Sequence, residues 1–154
     1  MRVTVRKAWI SPAVLATALA VVPLQSVWGQ SDTPLAVETP PLSAAEAGAL
    51  KNPIPFSNAS IAAGKQIYIF QNCSACHGAD GKALVDVVAN ATDLTSPNLY
   101  DHGTKEGEIF KSIRDGAASA MPPYKGKITK ESDIWNLVNF VQSLWPADKQ
   151  PKKQ

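Results

Sequence analysis

Gln71-Asn72-Cys73-Ser74-Ala75-Cys76-His77-Gly78, QNCSACHG, holds the chain's two cysteines with one of its two histidines directly behind them. Four chemistries compete for these side chains. A thioredoxin-like dithiol would exchange disulfides through Cys73 and Cys76, and expects a βαβ pattern nearby. A structural zinc site needs four Cys or His ligands as a rule. The chain offers only Cys73, Cys76, His77 and His102, and adjacent Cys76 and His77 are poorly placed to reach one tetrahedral ion. A plain disulfide suits an exported protein but gives His77 no part. Covalent haem attachment uses all three residues, and Cys-x-x-Cys-His is its signature. Two thiols one helical turn apart reach the two vinyl groups on one porphyrin edge, and the next residue turns its imidazole under the ring to the iron.

Outward from the motif, the sequence reads as helix. In "SNASIAAGKQIYIF", Ser60 is the expected cap and Ile61, Ile67, Tyr68 and Phe70 form an apolar stripe. Gly64 lies inside this helix, where glycine costs about 1 kcal/mol relative to alanine; a close crossing by another helix beside Tyr68 accounts for it. In "GTKEGEIFKSIRDG", Thr104 is the expected cap, with Glu106 and Glu108 at the start, Lys111 and Arg114 at the end and Gly116 as the stop. Ile109, Phe110 and Ile113 face inward. "TKESDIWNLVNFVQSLWP" is the clearest helix: Thr129 caps it, Ile134, Leu137, Val138, Val141 and Leu144 recur at helical spacing, and Pro146 ends it. "ALVDVVANA" fits a short strand or a helical turn. Nothing alternates as a sustained strand does, so the expected fold class is all-α, and the βαβ setting of a dithiol oxidoreductase is missing.

The ends of the chain are of a different kind. Residues 1–29 carry Arg2, Arg6 and Lys7, then an apolar run from Ile10 to Val22 and small residues up to Gly29, the layout of a cleaved export signal. That run of 13 residues, interrupted by Pro12, is short of the roughly 20 that cross a bilayer; a retained membrane anchor is the alternative. Residues 30–53 hold four prolines among alanines and serines and read as a flexible tether, with a short helix through "SAAEAGAL" as the alternative. Residues 54–146 form the expected folded domain, and 147–154 a disordered basic tail. The chain has 15 basic and 13 acidic residues; without the three basic residues of the signal, 12 face 13. That balance excludes the strongly basic face that nucleic acid calls for.

An iron held by His77 has a sixth position, and composition limits what can fill it. Apart from Met1, the chain's one methionine is Met121, in "AASAMPPYKG" between two helices. Pro122 and Pro123 stiffen this loop, an odd place for a packing methionine. His102 is the competitor.

Four separated features, "NCSACHG", "SPNLY", "MPPYKG" and the final amphipathic helix, together resemble the small class I cytochromes c, the mono-haem domains of the bacterial periplasm. The resemblance covers roughly residues 54–145. It implies a small cytochrome c fold of roughly three to five helices wrapped around one covalently bound haem c. It also implies thioethers at Cys73 and Cys76, axial ligands His77 and Met121, and a Pro97 carbonyl that accepts the proton on the outer nitrogen of His77. Leu99 would pack on the haem face, and Gly64 and Tyr68 would mark the crossing with the last helix near Leu137 and Phe140. The stretch "ADGKALVDVVANATDLT" departs from the family pattern and receives no site. Arg114, Tyr124 and Trp135 are candidates for the haem propionates.

With His and Met on the iron no position is left for a substrate, so the resemblance implies outer-sphere electron transfer and no enzyme activity. Neutral thioether sulfur favours iron(II) and raises the potential. The expected partners are redox proteins: a membrane oxidase, a reductase, or a periplasmic dehydrogenase of the quinoprotein kind. Lys111, Arg114, Lys125, Lys127 and Lys130 could ring the haem edge and steer an acidic partner.

Overall fold

A computed structural model of the chain describes residues 39–83, 90–117 and 120–154. The expected signal over 1–29, the start of the expected tether and most of "ALVDVVANA" lie outside these residues. Among the described residues there are five α-helices and no strand: α1 (Ala44–Ala49), α2 (Asn58–Phe70), α3 (Ser74–His77), α4 (Glu106–Asp115) and α5 (Glu131–Ser143), with a 3-10 turn at Pro97–Leu99.

The caps fall beside the expected residues. Ser57, not Ser60, caps α2: its hydroxyl accepts the Ser60 N–H at 3.2 Å, while the Ser60 hydroxyl accepts the Ser57 N–H at 3.1 Å. This reciprocal box satisfies two N–H groups that a helix start leaves without partners. Lys105 and Lys130, one residue after Thr104 and Thr129, precede α4 and α5. At α4 the Glu108 carboxylate accepts the Lys105 N–H at 2.8 Å, which leaves Thr104 without a capping role. Gly116 ends α4 at φ 86°, a backbone angle that suits glycine.

α5 is the centre of the molecule, with Ile134, Leu137, Val138 and Val141 all buried. It crosses α2 at Gly64, where an added Cβ would run into the Asn136 carbonyl and lie 2.7 Å from the Phe140 Cβ. Beside this crossing the Tyr68 and Phe140 rings sit 5.0 Å apart. On the other side of α5, Trp135 stacks on Phe110 of α4 with centroids 4.1 Å apart.

Residues 39–53 are folded onto the domain and so correct the tether expected over 30–53. The short helix through "SAAEAGAL" is the form this stretch takes. Ser43 and Glu46 form a capping box at its start, and Ala47 is 1% exposed against α4. A Cβ on Gly107 would collide with the Ala47 carbonyl and lie 2.6 Å from the Leu50 Cβ. Further along, buried Asn139 of α5 holds the next turn of chain. Its amide nitrogen faces the carbonyls of Ile54 (3.2 Å) and Pro55 (3.1 Å), and its oxygen accepts from Asn52 at 2.8 Å. Burying an amide is tolerable only with such partners.

The tail over 147–154 is also docked and not disordered. Gln150 donates to the Ser143 and Trp145 carbonyls at 2.9 and 2.8 Å, and the Gln154 N–H reaches the Phe56 carbonyl at 3.1 Å. Lys153 donates to Asn58 at 2.8 Å, so one basic residue caps nothing yet ties the tail to the start of α2.

Candidate functional site

Chain direction reverses between α2 and α3 through Asn72, which takes a left-handed φ of 58°; asparagine is among the few residues that do so readily. The turn is fixed by the Cys73 N–H on the Tyr68 carbonyl at 3.0 Å and by the buried Tyr68 hydroxyl, which donates to the Gly78 carbonyl at 2.6 Å. Cys73 precedes α3 and Cys76 and His77 lie within it, with the His77 N–H on the Cys73 carbonyl at 3.0 Å. The two thiols are therefore one turn apart, and both are free.

The ring of His77 is oriented by its Nδ1, 2.9 Å from the Thr92 carbonyl. A carbonyl only accepts, so Nδ1 carries the proton and Nε2 keeps its lone pair for a ligand. This corrects the expected bond to Pro97. The Pro97 carbonyl accepts the Tyr100 N–H at 3.2 Å instead, because Pro97 opens the 3-10 turn and its carbonyl is used inside that turn.

Met121 is placed by α4. The Met121 and Ala117 backbones exchange bonds of 3.2 and 3.1 Å. After Pro122 and Pro123, the Tyr124 N–H reaches the Ile113 carbonyl at 3.1 Å and the Lys125 N–H the Arg114 carbonyl at 3.0 Å. The loop thus satisfies carbonyls that the last turn of α4 would otherwise leave unpaired.

His77, Cys73 and Met121 line one mainly apolar cavity of about 110 Å³, together with Tyr68, Leu94 and Tyr100. Cys76 joins Cys73, His77 and Met121 around a contiguous, wetter cleft. His102, the competing sixth ligand, borders both spaces from an exposed turn. Leu99 is 55% exposed, and Leu94 stands on the cavity wall where Leu99 was expected. Of the propionate candidates only Tyr124 lines the cavity. Arg114 is turned to the Pro40 carbonyl and Trp135 to the core. Thr92, Leu94 and Tyr100 are the site residues that the sequence left unassigned. The first two fall in the stretch that departs from the family pattern.

The electrostatics bear on the competing chemistries. Burial pushes the Cys73 thiol up to about 11, so it is protonated at neutral pH, the opposite of a thiolate poised for disulfide exchange. Burial also raises Tyr68 and Tyr124 and pushes Tyr100 up to about 12. Among the described residues no three His, Cys, Asp or Glu side chains group to hold a metal ion.

Helices without strands, around a cleft that carries Cys-x-x-Cys-His, define the class of c-type cytochromes. Residues 59–141 match the family described as "Cytochrome C oxidase, cbb3-type, subunit III", and the chain belongs to it. It is 32% identical over 92 residues to the cbb3-type cytochrome c oxidase subunit CcoP of Helicobacter pylori (strain 52), covering 55% of this chain and 28% of that protein. It is 32% identical over 87 residues to the FixP subunit of Bradyrhizobium diazoefficiens, covering 54% and 27%. The chain thus spans little more than a quarter of the length of these relatives. A chain of the Kuenenia stuttgartiensis reducing HAO-like protein complex shares the fold, with a TM-score of 0.51 over 63% of this chain and 50% of that one at 20% identity.

Membership implies haem c, and the residues present fit it. The adjoining cleft, of about 460 Å³, lies within the range of about 300–1,000 Å³ that cofactor pockets occupy. Two free thiols border that cleft, one imidazole nitrogen is left open for a ligand, and a thioether lines the same cleft.

Proposed function

We propose that the chain is an exported mono-haem c-type cytochrome that passes single electrons between a donor and an acceptor in the periplasm. The observation that carries this reading is that His77 and Met121 line one apolar cavity and meet both Cys-x-x-Cys thiols around the cleft beside it. Cys73 and Cys76 would hold the porphyrin by thioethers. His77 Nε2 and Met121 Sδ would hold the iron. Haem iron, when bound, supplies one-electron exchange between iron(III) and iron(II).

The protein's own contribution is placement and environment. The Thr92 carbonyl keeps His77 in the tautomer that leaves Nε2 free and raises its basicity. Tyr68, Leu94 and Tyr100 exclude water from the cavity, which disfavours the extra charge of the oxidised state and raises the potential. Were His77 and Met121 both to hold the iron, no substrate would reach it, and the role would be electron transfer and not catalysis.

The relatives are subunits of a cbb3-type cytochrome c oxidase, which favours a membrane oxidase as acceptor over a dedicated periplasmic dehydrogenase as donor complex. Among the described residues no helix is long and apolar enough to cross a membrane. Residues 1–29 carry the export signal in this reading.

His102 at the cavity rim favours one second reading, in which it takes the sixth position. The visible spectrum of protein matured with haem c decides between them. A sharp reduced α-band with a weak far-red band in the oxidised form is expected for Met121 sulfur on iron. Haem absorption without the far-red band would transfer the ligand to His102 or leave the position open. No haem absorption would overturn the whole reading.

A further inference from the structure

The chain upstream of the haem-attachment turn is bound to the loop that carries Met121, and we propose that this contact is a latch that positions the Met121 sulfur. The proposal rests on the reading of Met121 as the sixth ligand. Three bonds make the latch. The Leu42 N–H donates to Asp115 Oδ2 at 2.8 Å, Arg114 Nη2 donates to the Pro40 carbonyl at 3.3 Å, and Lys125 Nζ donates to the Thr39 carbonyl at 2.8 Å.

All three protein groups belong to the frame of the Met121 loop. Arg114 and Asp115 form the last turn of α4, whose Ile113 and Arg114 carbonyls receive the loop's Tyr124 and Lys125 N–H groups. Lys125 bridges the two systems, with its N–H on Arg114 and its Nζ on Thr39. The last turn of α4 is therefore gripped by the upstream strap on one side and by the Met121 loop on the other.

The chemistry of the latch suits positioning better than bulk stability. Arg114 and Asp115 pair at 3.2 Å with side chains 7% and 2% exposed. Such a pair adds little net stability over apolar side chains, and the best-attested use of buried polar groups is to select one arrangement among several. Pro40 and Pro41 stiffen the strap, since their rings fix φ before folding. α1 then continues the strap and is seated on α4 at Gly107.

The test uses the haem-loaded protein in three forms: wild type, Lys125→Met, and the double variant Arg114→Met with Asp115→Leu, which removes both buried charges together. Amide hydrogen exchange is read at Met121, Tyr124 and Lys125, with Val138 of α5 as the internal reference, and the far-red band is followed through a urea titration. The latch predicts exchange about tenfold faster at the loop amides, the scale of one charge-assisted hydrogen bond. Val138 should be unchanged, and the far-red band should be lost at lower urea than the helical circular dichroism. Loop amides that exchange at the wild-type rate in both variants would overturn the latch. So would parallel acceleration at Val138, which would make the contact a general stabiliser. A wild-type protein that lacks the far-red band would overturn Met121 ligation alone, while the exchange rates still score the latch.

Discussion

Met121 owes its place to main-chain bonds on both sides of it, and its sulfur is the one thioether able to reach the cavity from the described residues. Met121→Ala should therefore open a coordination position while the loop stays in place, because the bonds to Ala117, Ile113 and Arg114 are all backbone. The reduced variant is expected to bind carbon monoxide where the wild type does not. Its potential should fall by roughly 100 mV or more, a modest share of the ~0.8 V range that axial ligands span. A variant that excludes carbon monoxide and keeps its far-red band would remove Met121 from the iron. At this scale the sequence singles out the four side chains that meet at the cleft, but not Leu94 or Tyr100 on the cavity wall. Cys73, Cys76, His77 and Met121 could be picked out because cysteine, histidine and methionine are rare in this chain. Thr92 could not, because it acts through a carbonyl that every residue carries, and the register that brings it to His77 is set by the loop between them.

The crossing of α2 and α5 was legible as a whole because a glycine in the middle of a helix needs a reason. Gly64 has one in the Asn136 carbonyl, which stands where a Cβ would project. Intrinsic propensity favours Gly64→Ala by about 1 kcal/mol, whereas overpacking costs typically 1–3 kcal/mol and occasionally more. The obstacle here is backbone, which cannot rotate aside as a side chain can, so the steric cost should win. Gly64→Ala is expected to lose about 2 kcal/mol, measured as a lower urea midpoint at unchanged slope. A raised midpoint would mean that the two helices separate freely and that the glycine is incidental. Cap positions were read less well. Ser57 and Ser60 are both serines with the right neighbours, and only their reciprocal bonding decides which begins the helix. Thr104 failed for a related reason, since Glu108 serves the start of α4 in place of a threonine hydroxyl.

At the scale of the molecule, two segments that look like linkers in composition are part of the fold. Proline-rich residues 39–53 carry alanines and two leucines over too short a span for a sustained helical period, and the basic tail is polar, so neither shows the pattern of a packed element. Their attachment joins buried Ala47 and partly buried Leu42 and Leu50 to main-chain and amide bonds, as with Asn52 on Asn139 or Gln150 on Trp145, and such bonds leave no periodic trace. They enclose a domain whose interior is not closed by protein alone. α2 and α4 both pack on α5, but Tyr68, Ile113 and Leu137 also face the shared cavity of about 110 Å³. In a form unable to attach haem, that volume left dry would cost about 3 kcal/mol at ~24 cal/mol per Å³. The whole stability of a domain is only about 5–15 kcal/mol. Collapse would relieve this cost, but it would pull α4 and the Met121 loop away from the bonds that place them. Protein with Cys73→Ala and Cys76→Ala, made without haem, is therefore expected to lose the cooperative urea transition and much of its helical circular dichroism. A native-like spectrum with a sharp transition would show that α2, α4 and α5 form a sufficient core, and that the cavity is a pocket the fold can keep open unaided.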